Sequence, residues 1–119
     1  MDKTALLFER LVKLVERKNI QSGSNFKVLQ QEKVKANISI AGGNGRLYVQ
    51  PSTEGYDVSL SGQSLEHILT PSLVNFFHRP PDGYKQTNAN KGFKRQPYWR
   101  TDSFKDVEKV CAFYLEVKP

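Results

Sequence analysis

The residues best suited to chemistry lie in one quarter of the chain, Phe76 to Arg100, which reads FFHRPPDGYKQTNANKGFKRQPYWR. Between Arg79 and Arg100 there are six basic residues and one acid, Asp82, a local charge of +5 against +6 for the whole chain. The other 97 residues carry 12 basic and 11 acidic groups and are nearly neutral. Six of the aromatics (Phe76, Phe77, Tyr84, Phe93, Tyr98 and Trp99) share the same segment. Lysine and arginine neutralise phosphates and release counterions, which gives affinity independent of sequence. Arginine adds a planar fork that fits phosphate or the edge of guanine. Aromatic rings between the cations can stack on unpaired bases, and Gln86, Asn88, Asn90 and Gln96 offer hydrogen bonds to base edges or sugars.

The candidate nucleic-acid-binding set is therefore Arg79, Lys85, Lys91, Lys94, Arg95 and Arg100 for phosphates, with Tyr84 and Phe93 for stacking. The plain alternative is a solvated polar loop. Phe76 and Phe77 close a helical stretch and are expected in the core. Tyr98 and Trp99 alternate along a strand, and Trp99 is expected to face inward. An acidic protein surface would suit the same cations, so a small adaptor or regulator gripping an acidic partner is the second reading. Salt separates the two. Phosphate binding falls steeply with ionic strength, whereas a protein interface shows partner specificity and lower salt sensitivity.

Catalytic chemistry finds less support. The acids Glu54, Asp57, Asp102, Asp106 and Glu108 are available, and Glu54 and Asp57 with Lys94 could serve a nuclease metal site, but their spacing is not diagnostic. Asp102 and Asp106 sit where a helix begins, and capping explains them. His67 and His78 are the only histidines, with no cysteine or acid pair to complete a metal site. His78, beside Arg79, suits either a phosphate contact or a helix end. Cys111, the only cysteine, falls on an apolar helical stripe and reads as a buried core thiol. It also excludes an internal disulfide. No cofactor, no metal and no enzymatic activity are expected.

These residues need elements to hold them. An amphipathic helix is expected over Thr4–Lys18, with Leu7, Leu11, Leu14 and Val15 on its apolar stripe and Asp2 or Thr4 as its cap. Asn19–Asn25 follows as a loop. Phe26–Gln30 reads as a short strand. From Val34 to Ile40 the alternation predicts a strand with Val34, Ala36, Ile38 and Ile40 buried and Lys35, Asn37 and Ser39 wet. The glycine-rich Ala41–Gly45 leads into another alternating strand carrying Leu47 and Val49, so it reads as a hairpin turn rather than a phosphate loop. A turn at Pro51–Gly55 leads to Tyr56, Val58 and Leu60. Two short helices follow: one begins at Ser61 or Ser64, and a second restarts at Thr70-Pro71 and stops at Pro80-Pro81. Asp82–Gln96 is expected as a polar loop and Tyr98–Thr101 as a short strand. A last helix opens near Ser103-Phe104-Lys105-Asp106.

The fold class is thus α+β: a single domain over residues 1–119, with an antiparallel β-meander sheet packed against N- and C-terminal helices. A composition of 38% hydrophobic and 25% charged residues is ordinary for a globular protein. No apolar run approaches the roughly 18 residues of a membrane span. Charges interrupt the N-terminal apolar stretch, which speaks against a secretory signal and for a cytoplasmic location. Open sheet edges leave a homodimer as accessible as a monomer.

The order of elements, with Gly83-Tyr84 on a loop, Trp99 on the following strand and then a closing helix, resembles the YjbR-like bacterial proteins. In this chain fifteen positions separate Tyr84 from Trp99, so against that layout the basic loop is an insertion. The resemblance implies a compact "double-wing" α+β fold and a DNA-binding role.

Overall fold

The computed structural model describes residues 2–42, 45–61, 63–86 and 95–116, without the side chains of 61, 63–68, 85, 86 and 95. Within these residues the order is α1 (Lys3–Ser22), β1 (Lys27–Gln30), β2 (Ile38–Ala41), β3 (Arg46–Ser52), β4 (Gly55–Ser61), α2 (Gln63–Phe77), β5 (Gly83–Gln86), β6 (Arg95–Thr101) and α3 (Phe104–Glu116). The six strands form one antiparallel sheet in the order β1-β2-β3-β4-β6-β5. The fold is α+β, with helices from both ends of the chain against the sheet.

Helix α1 starts at Asp2, whose carboxylate accepts the Ala5 amide at 2.8 Å, and stops at Gly23, which takes the left-handed conformation (φ 64°) that glycine adopts at no steric cost. It runs one turn past the expected Lys18. Asn19, placed by sequence in the loop, is still helical, and its side chain brackets the backbone of Phe26, donating to its carbonyl at 2.9 Å and accepting its amide at 3.0 Å. Leu7, Leu11 and Val15 are buried and Leu14 is partly so.

Two segments differ from the alternation. The strand expected from Val34 is present only as Ile38–Ala41. Val34 is 53% exposed, and its carbonyl accepts the Asn37 amide at 2.9 Å in a turn. This turn lets the chain reverse between β1 and β2, so the period-2 pattern at Val34 and Ala36 has no partner strand to realise it. The two short helices are one, α2, with Pro71 inside it. An internal proline costs one helical hydrogen bond, but Leu69 and Leu73 on either side of it are both buried in the core and anchor both halves of the helix there.

Ile38, Ile40, Leu47, Val49, Val58, Leu60 and Trp99 fill one face of the sheet and join Leu7, Leu11, Val15, Leu69, Leu73, Val107, Val110, Cys111, Tyr114 and Leu115 in a single cluster. All three helices therefore cover the same face. The other face carries Ser39, Tyr48, Gln50, Asp57, Ser59, Tyr98 and Arg100, and no described helix lies over it. Trp99 is fully buried, as its strand phase requires. Phe76 and Phe77 pack against the core from the end of α2.

Candidate functional site

The stretch expected as a loop from Asp82 to Gln96 is partly a hairpin. β5 and β6 pair with Gly83 opposite Tyr98, Tyr84 opposite Pro97, Lys85 opposite Gln96 and Gln86 opposite Arg95. β6 reaches back to Arg95, three residues before the expected start at Tyr98. The sequence signal was weak because Gln, Lys and Arg occupy most of these strand positions and Pro97 interrupts them. Pro97 is tolerated because the described β4–β6 pairing covers only Tyr98–Thr101, so no β4 ladder bond is required of its nitrogen. Beyond Tyr98, β5 and β6 are described as paired only with each other.

Gly83 is required by close approach. A methyl group there would lie 2.7 Å from the Tyr98 ring, which leans across the strand at this point.

The base of the hairpin is tied by two arginines. Helix α2 ends at Phe77, and His78 turns the chain with φ 57°, a left-handed conformation uncommon for a residue with a side chain. Arg79 then lies beside the Phe77 ring, 5.1 Å from its centroid, and donates to both carboxylate oxygens of Asp82 at 3.2 and 3.0 Å and to the Arg100 carbonyl at 2.6 Å. Asp82 also accepts the Arg100 amide at 2.6 Å. The Trp99 indole donates to the Arg79 carbonyl at 3.2 Å. Arg100 itself makes a two-pronged pair with Asp57 on β4, at 2.7 and 3.1 Å, with Glu54 4.0 Å away. The Arg79 hydrogen bonds hold the Asp82 carboxyl below its ordinary range, with the Arg100 amide adding to this. Asp57 holds Arg100 protonated well above the usual guanidinium range.

The eight expected contact residues thus fall into four groups. Arg79 and Arg100 clamp the hairpin to the sheet and to the end of α2. Tyr84 is 57% exposed on β5, the edge strand of the sheet. Lys85 and Arg95 stand on the paired strands, while Lys91, Phe93 and Lys94 lie outside the described residues, as do Asn88 and Asn90. Gln96 is only 4% exposed, which withdraws it from the base-edge role expected for it. Sequence reasoning missed Asp57 and Asp82 as partners of the two arginines. Asp82 was within reach, three residues from Arg79 across a Pro-Pro turn. Asp57 lies 43 residues from Arg100 and is found only once β4 and β6 are known to pair.

The carboxylates weighed for metal chemistry, Glu54 and Asp57, both face Arg100, and among the described residues no group of three or more His, Cys, Asp or Glu side chains could hold a metal ion. Burial pushes the Cys111 thiol up to about 12, so it stays protonated at neutral pH. Comparison of the chain with protein-family models, with curated proteins and with solved structures finds no match.

Proposed function

We propose that this protein binds nucleic acid, without catalysis, through the β5–β6 hairpin. The observation that carries the reading is a division of labour among the cations. Asp57 and Asp82 neutralise Arg100 and Arg79 at the base, while Lys85, Lys91, Lys94 and Arg95 stand in a stretch, Gly83 to Thr101, that contains no acid. Four cations in a stretch of sequence without an acid, close in the chain to the exposed ring of Tyr84, suit a phosphate backbone. Phe93 would add a second ring for stacking. The resemblance to the YjbR-like proteins points the same way.

Fluorescence anisotropy with labelled single- and double-stranded DNA and RNA tests the proposal. Four phosphate contacts give a log–log salt slope near −3.6 on duplex DNA, so affinity should fall on the order of a hundredfold between about 50 and 200 mM salt. The Lys91→Ala, Lys94→Ala, Arg95→Ala triple variant should lose most of this binding and most of the slope. Wild-type protein that binds none of the four at low salt would end the proposal. An acidic protein partner, sought by pull-down, would then take its place.

A further inference from the structure

The face of the sheet that no described helix covers has an order that the basic hairpin alone does not explain. Pairing registers place Leu29, Ser39, Tyr48, Ser59, Tyr98 and Gly83 side by side across all six strands. Aromatic rings alternate here with small residues, and Ser39 and Ser59, the neighbours of Tyr48, are only 3% and 1% exposed. Two residues further along, a parallel row carries Lys27 on β1 and Arg46 on β3. Ala41 lies opposite Lys27 and Ser61 opposite Arg46, so this row has two cations and no acid over β1 to β4. Lys27 and Arg46, two strands apart, are about 9.6 Å from each other, and the two rows are about 6.8 Å apart.

Tyr48 and Arg46 are the centre of this arrangement. Lys27 and Arg46 are exposed and, among the described residues, in no ion pair; Tyr48 is half-buried and makes no hydrogen bond or ring contact there. Beside Tyr48 is a concavity of about 310 Å³ lined by Leu29, Gln31, Asn37, Ser39 and Arg46, at the lower end of the sizes that hold small ligands. The Asn37 amide donates to the Gln31 side-chain carbonyl at 2.9 Å, which orients the Gln31 NH₂ group as a remaining donor.

We infer that this face is a track for single-stranded nucleic acid, with one unpaired base stacked on Tyr48 in the concavity and the backbone following Lys27 and Arg46. The inference rests on the nucleic-acid reading above and adds to it a surface and a strand form. A duplex buries its base faces and cannot use Tyr48. A single strand offers a ring to the tyrosine and a phosphate to the arginine together.

The experiment compares a labelled oligo-thymidine strand with a labelled duplex at about 50 mM salt, where phosphate contacts are strong. The proteins are wild type, Tyr48→Ala, Tyr48→Phe, Arg46→Gln and the hairpin triple variant, each checked for folding by thermal melting. Tyr48→Ala should weaken single-strand binding roughly tenfold or more while leaving duplex binding unchanged, and Tyr48→Phe should keep it. Arg46→Gln, which tests the same site if Tyr48→Ala does not fold, should reduce the single-strand salt slope by about 0.7. If Tyr48→Ala and Arg46→Gln bind single strands like wild type while the triple variant loses binding, the track is overturned and the hairpin reading stands. If the face variants lose binding and the triple variant does not, the hairpin reading falls and the track stands. A wild-type protein that binds neither probe overturns both.

Discussion

Asp82 is the residue on which the hairpin base turns. Its carboxylate receives both prongs of Arg79 and the backbone amide of Arg100, and its own amide donates to the Tyr98 carbonyl at 2.8 Å. Replacing it with Asn keeps the shape but removes the charge that these donors address, and Asp82→Asn should destabilise the protein by about 1–3 kcal/mol. The pH dependence follows from the direction of the shift. The folded carboxyl titrates below its ordinary value of 3.8, so its contribution is present above that value and is lost as pH falls through the lower, folded one. Urea unfolding of both proteins across a pH series should therefore show a gap that is constant near neutrality and closes at acid pH. A gap unchanged down to the most acid point would show that the charge of Asp82 is not what stabilises the turn. At this scale the sequence was legible only in part. Trp99 inward and Cys111 buried followed from period and stripe, because burial is a local pattern. The pairing of Arg100 with Asp57 was not legible, because it depends on which strands become neighbours.

Among the elements, the β4–β6 junction shows why local patterns fell short. Gly55 opens β4 with φ 145°, a conformation rare for residues with side chains, and a methyl group at this position would run into the Thr101 carbonyl oxygen on β6. The turn at Pro51–Gly55 was readable from its residue types. That Gly55 also clears a path for a strand 46 positions away was not. Gly55→Ala should cost more than about 3 kcal/mol, since backbone strain and steric collision act together. Thermal melting measures it, and a variant as stable as wild type would mean that β6 does not approach β4 this closely. α1 and α3 were legible because their apolar stripes repeat over many residues and Asp2 and Gly23 mark the ends of α1. The hairpin was less so: β5 has four residues, Gly-Tyr-Lys-Gln, and its pairing with β6 comes from register rather than from hydrophobic alternation. The segment itself was legible from its composition, but its architecture of clamped base and paired strands came only with the structure.

For the whole molecule, the decisive feature is that one hydrophobic cluster joins all three helices to a single face of the sheet. Trp99 sits where that cluster meets the candidate site. Its ring stacks on Phe77 of α2 at 6.1 Å with planes 11° apart, its indole N–H is held by the Arg79 carbonyl, and β6 carries it between β4 and β5. It is also the only tryptophan, so its fluorescence reports this region and no other. If the cluster melts as one unit, the red shift of Trp99 emission and the loss of far-UV circular dichroism should follow the same denaturant curve, with equal midpoints and slopes. The alternative has a distinct signature. The arginine clamp at the hairpin base is made of polar contacts, some of them solvent-exposed, which belong to the low-stability end of a fold. Were it the main support of β5 and β6, Trp99 would become exposed at lower denaturant than α1 and α3 lose their helicity. The complete burial of Trp99 among Val58 on β4 and the residues of α2 and α3 argues for a single transition, because opening the hairpin alone would strand a large apolar ring in water at a cost that the remaining contacts do not offset.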